Sequence, residues 1–184
     1  MKAITLLSLG LFSLAASAEP LTPEALQQEA SALIKPFAEQ LLGTVKKAKA
    51  EGGPSQAIEA CQLLAPDIAR QHSQAPWQIG RTALKVRNPD NTADAWEQQV
   101  LEHFAKQAAA GTPLTQLRHG EVVDGEYRYM QAIGTQADCL SCHGEKIEPA
   151  LLGLLDTRYP EDQARGFREG DLRGAFSLRR TLPQ

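Results

Sequence analysis

A chain of 184 residues with a formal net charge of -3 and 22% charged residues has the size of one domain and only mild acidity. That balance argues against nucleic acid or an anionic membrane as the main partner. Its length allows a real core without disulfides, so the three cysteines need another explanation.

The opening MKAITLLSLGLFSLAASA reads as a secretory signal peptide. Lys2 supplies the positive end, residues 4–14 the short apolar run, and Ala16-Ser17-Ala18 the cleavage site. The run is too short for a membrane span of roughly 20 residues, and no later segment is apolar enough. The expectation is a signal peptide over residues 1–18, then one domain over 19–184. The mature chain would start at Glu19 as a soluble protein of an oxidising compartment such as a Gram-negative periplasm.

Residues 21–51 predict a long helix, with Thr22 as cap, Pro23 in the first turn, and Leu33, Ile34, Phe37, Leu41, Leu42 and Val45 at helical spacing. Pro36 should kink or interrupt it, and Gly52-Gly53-Pro54 should end it. A second helix follows over 55–72, where Ile58, Cys61, Ala65 and Ile68 share one face and Pro66 should bend or shorten it. Residues 77–87 alternate and predict a half-buried strand with Arg81, Lys85 and Arg87 on one side. Asn88-Pro89-Asp90-Asn91 is a turn, and 94–110 a third helix burying Trp96, Val100, Leu101 and Phe104. Strands over 117–123 and 127–133 are joined by the hairpin signal Asp124-Gly125. CLSCHGE then falls in a loop, 149–155 in a short helix, and 171–182 in a closing strand. Helices first and strands mostly later predict an α+β domain with an antiparallel sheet.

Cys139-Leu140-Ser141-Cys142-His143 is a CxxCH sequence, the attachment signature of c-type haem. Thiols three residues apart reach both vinyl groups of one porphyrin, and the adjacent His143 becomes the proximal ligand. A thioredoxin-like redox motif would need a βαβ setting, which is missing. A zinc site would need a second Cys/His pair at ligand spacing, which is also missing.

The opposite ligand stays open on spacing alone: Cys61, Met130, His72, His103, His119, or no protein ligand. Cys61 is the odd thiol on a buried helix face, though a small core residue is its plain alternative. Met130 lies on a strand near the motif, where methionine commonly fills core. Arg81, Lys85 and Arg87 are candidates for the two propionates, against a solvated strand face. Arg128 and Arg173 share that ambiguity. No residue stands out as the acid/base group that peroxidase chemistry needs, so no enzyme activity is expected.

Several stretches together carry a resemblance: AIEACQLLAPDIA, IGRTALKVRNPDNTADAWE, YRYMQAI, CLSCHG and YPEDQARGFREGDLRGAFSL. The chain resembles a family of small periplasmic single-haem proteins, long catalogued as a domain of unknown function, whose domain also serves as the extracytoplasmic sensor of some bacterial signalling proteins. The resemblance covers residues 57–178. It implies a PAS-like fold, an antiparallel sheet flanked by helices, and one covalent haem c with His143 on one side of the iron and Cys61 on the other. It also favours Arg81, Lys85 or Arg87 as propionate partners. Two functions follow as expectations: a redox or gas sensor module reporting to a periplasmic signalling protein, or a soluble single-haem electron carrier with a redox partner.

Overall fold

The computed structural model describes residues 21–183. The expected signal peptide and the start at Glu19 lie outside the described residues.

The first helical element, α1, spans Pro23–His72 and is capped by Thr22, whose hydroxyl accepts from the Ala25 N–H at 3.2 Å. Within it only Gly52 (φ -136°, ψ 19°) and Gly53 (φ 71°, ψ -166°) leave helical dihedrals. There the chain doubles back. Gln40 bonds Gln71 at 3.1 Å and His72 at 2.7 Å, and the Phe37 and His72 rings lie 5.6 Å apart. Residues some 31 positions apart in a straight helix would be about 45 Å apart. The element is therefore a helical hairpin, and its turn is the expected glycine break. Pro36 and Pro66 break neither arm, because helical dihedrals run through both positions.

The sheet has four antiparallel strands, β1 (Trp77–Thr82), β2 (Arg118–Val123), β3 (Glu126–Gly134) and β4 (Leu172–Thr181), in the order β1-β4-β3-β2. The Asp124-Gly125 turn, with φ of 50° and 81°, closes β2 onto β3 as expected. Helix α2 (Ala95–Ala109) starts in a capping box of Asp94 and Glu97. The one-turn α3 (Leu140–His143) and then α4 (Pro149–Arg158) precede β4.

Alternation along the strands sorts the core into two faces. Trp77, Ile79, Tyr127, Tyr129 and Leu178 pack beneath the α1 hairpin with Leu26, Ile34, Phe37, Leu41 and Ile68. Met130 and Ala175 point to the other face, against Val100, Leu101 and Phe104 of α2. A third cluster joins Ile58 of α1 to Leu151, Leu155 and Tyr159, with Cys142 at its border. The α+β architecture with a long N-terminal helix and a PAS-like sheet flanked by helices stands as read from the sequence.

Three local expectations need correction. The strand over 77–87 ends at Thr82, because β4 pairs with β1 only from Arg180 back to Ala175. Beyond it, Gly174 and Leu172 serve β3 alone, and Ala83 makes an isolated bridge to Thr92. Lys85 and Arg87 therefore share no strand face with Arg81. Trp96 packs against the α2 core as expected but only half-buried, its ring covered by the Arg128 guanidinium at 4.4 Å. The CLSCH sequence forms a helical turn, α3, entered through a short 3-10 turn at Ala137–Cys139.

Candidate functional site

The α3 turn and its N-cap hold Cys139, Cys142 and His143, all half-buried, and the two thiols are free. The segment after α4, residues 159–168, wraps this turn with backbone bonds. Phe167 N–H donates to His143 O at 3.0 Å and Gly166 N–H to Gly144 O at 3.1 Å.

His143 Nδ1 lies 2.7 Å from Ala164 O. A carbonyl only accepts, so Nδ1 carries the proton and Nε2 keeps its lone pair free for a ligand. Burial, then the Arg173 and Arg87 charges, hold the imidazole down at about 3, so the ring is neutral at ordinary pH. A neutral, oriented imidazole with one bare nitrogen is the form that binds a metal.

Arg87 leaves the expected strand face but stays at the site. Its Nη2 donates to Cys142 O at 2.6 Å and contacts Asp162 Oδ2 at 3.1 Å, with the Asp162 side chain fully enclosed. The Arg87 Nε is buried without a hydrogen-bond partner. Lys85 is exposed; its ammonium bonds Arg165 O and sits 4.8 Å from the Phe167 ring. Arg81 points to the α1 face of the sheet, and no hydrogen bond or ion pair engages its guanidinium among the described residues. Burial lowers its affinity for a proton. Arg173 is held down to about 10 by burial and then by Arg87 and Arg81.

Cys61 lies on the second arm of α1, half-buried. Burial pushes its thiol up, while Arg81, Arg87 and Arg173 pull it down and Cys142 pushes it up. It therefore lies near Arg81, Arg87, Arg173 and the CxxCH turn. Tyr159 lies there too, its hydroxyl pushed up to about 12 by burial and then by Cys61.

The other candidate ligands lie elsewhere. Met130 is fully buried against α2, on the sheet face opposite the α1 hairpin. His103 is exposed on α2, and His119 bonds Glu121 at 3.1 Å on the edge strand β2. His72 ends the second arm of α1 against Gln40 and Phe37. Arg128 pairs with Asp94 at 2.6 Å on the α2 face. Asp162, Ala164, Tyr159 and Phe167 went unnoticed in the sequence, because YPEDQARGF reads as a solvated turn.

The donor set fits a c-type haem. Two free thiols and a bare imidazole nitrogen share one turn, and clustered guanidiniums with unused donors suit two carboxylates.

Fold and site together define an α+β domain built around one CxxCH turn, a helix cysteine and an arginine cluster. The Tll0287-like family model matches residues 18–180, and the chain belongs to that family. Among solved structures, the crystal structure of the cyanobacterial heme-protein Tll0287 is similar, at 29% identity and a TM-score of 0.61, covering 89% of this chain and 97% of that one. No curated protein matches.

Proposed function

We propose that this chain is an exported single-haem c-type protein, with Cys139 and Cys142 as the attachment thiols, His143 and Cys61 as axial ligands, and a role as a redox or gas sensor module. The observation that carries the haem reading is the Nδ1 bond from His143 to Ala164 O, which leaves Nε2 bare beside two free thiols. The likeness to a cyanobacterial heme-protein supports it. Arg81 and Arg173, which pair with no carboxylate among the described residues, would hold the propionates, and Arg87 offers its buried Nε.

A bound haem supplies one-electron redox chemistry and, where an axial position opens, a site for small gases. Cys61 sits on a helical arm that turns at Gly52-Gly53 and packs on α4 through Ile58. A change in what Cys61 binds therefore has an element to move, as a switch requires. The electron-carrier reading is favoured by the surface position of α3, where exposed Lys49 meets Ser141 at 3.2 Å and Lys46 meets Asp138 at 3.3 Å.

The test is exported expression, followed by intact mass and optical spectra of oxidised and reduced protein with and without carbon monoxide. Cys139→Ala and Cys142→Ala should each lose covalent haem, and attachment in both variants would sink the motif reading. Cys61→Ala should keep the haem and lose thiolate features. Carbon monoxide binding on reduction supports the sensor, and a six-coordinate haem that ignores it supports the carrier.

A further inference from the structure

We infer that the buried Arg87–Asp162 pair is a positioning device for the His143 ring, not part of a propionate clasp alone. Asp162 has no exposed side-chain surface and engages both of its oxygens. Oδ1 accepts from Ala164 N–H at 2.9 Å, and Oδ2 accepts from Arg165 Nε at 2.7 Å and Arg87 Nη2 at 3.1 Å. The first of these bonds anchors Ala164 at its N–H, the residue whose carbonyl receives the His143 Nδ1 proton.

Arg87 also holds the backbone on both ends of that hydrogen bond. Its Nη2 binds the carbonyl of Cys142, the residue before His143, at 2.6 Å, and touches Ala164 O at 3.4 Å. One ion pair thus holds the backbone that carries the ring and the backbone that orients it. Gln163 N–H adds a bond to Val86 O at 2.8 Å, tying the two segments beside the pair. An acceptor on the far nitrogen raises the donor strength of a ligating histidine and sets its rotation.

This inference rests on the haem reading above, and the experiment separates the two. Wild type is first shown by intact mass to carry one haem; its absence would overturn the haem reading and this inference with it. Asp162→Asn, Arg87→Gln and Arg87→Lys are then compared by midpoint potential and by the spread of low-spin ferric g-values.

Two roles predict different signs. Acting only as through-space charges, loss of the acid raises the potential, loss of the base lowers it, and Arg87→Lys changes nothing. As a positioning pair, all three variants weaken the same histidine bond. All three should then raise the potential and shift the g-spread in one direction, Arg87→Lys least because it keeps the charge beside Asp162 while its ammonium lacks the planar guanidinium. Opposite shifts from Asp162→Asn and Arg87→Gln, or unchanged g-values with haem in place, would overturn the assignment. Arg87→Lys keeps the buried charge count, so it carries the test by itself if the other variants do not accumulate.

Discussion

The hairpin turn of α1 allows a test in which one substitution type gives opposite results at two positions ten residues apart in the same element. Gly53 has φ 71° and ψ -166°, a region that residues with a Cβ essentially avoid. A Cβ built there meets nothing within 4 Å, so Gly53→Ala isolates the backbone term, at about 1–3 kcal/mol of destabilisation. Gly43 is exposed within the first helical arm, and a Cβ there also meets nothing within 4 Å. Gly43→Ala should therefore stabilise by about 1 kcal/mol. Gly52 is a poorer choice, since its Cβ would collide with the Gln56 side chain. The two variants should differ by about 2–4 kcal/mol, which at a typical slope of about 2 kcal/mol per molar urea separates their midpoints by roughly 1–2 M. Urea titration followed by circular dichroism, with both variants in the same state of haem loading, reads this directly. A Gly53→Ala midpoint at or above wild type would refute the hairpin turn as described.

Met130→Leu conserves volume in the α2 core and should cost under about 1.5 kcal/mol, with an unchanged haem spectrum; an altered spectrum would bring Met130 back to the iron. Leu101→Ala, at a fully buried site, should cost about 2–5 kcal/mol by urea unfolding, and a smaller loss would contradict close packing of α2 on the sheet. For Asp162, burial alone would raise the carboxyl, but hydrogen bonds from Arg87 and Arg165 overcome it and hold the group below the usual carboxylate range. Its folded value is depressed, so its stabilisation is full above the unfolded value of about 4 and fades as pH falls through the folded one. The stability gap between wild type and Asp162→Asn should stay level from about pH 7 to 5 and shrink in acid; a gap independent of pH down to about 2 would count against the ion pair.

Local chemistry made much of the fold legible. Thr22, the Gly52-Gly53-Pro54 break and Asp124-Gly125 each act within a few residues, and each appears where the sequence put it. The strand end at Thr82 was illegible because alternation continues to Arg87, while the pairing that defines a strand comes from a partner some ninety residues later in the chain. Pro36 and Pro66 misled for a related reason: a missing hydrogen bond in one turn is a local cost that packing of the arm overrides. At the candidate site, Cys139, Cys142 and His143 were visible from spacing, whereas spacing and cysteine count left Cys61 one of several alternatives. Asp162 was hidden because a charged residue in a turn segment reads as surface, and only the fold brings Arg87 across to enclose it.

The last strand of the chain is an interior strand of the sheet, bonded to β1 on one side and β3 on the other. Completion of the sheet therefore waits for residues 172–181. A chain stopped before residue 172 would leave β1 with no neighbour and uncover both core layers at once. Pairings of such long sequence separation form late and slowly. Residues 139–143 would thus spend the early part of folding on an unfinished scaffold, ahead of the pairing that closes the sheet.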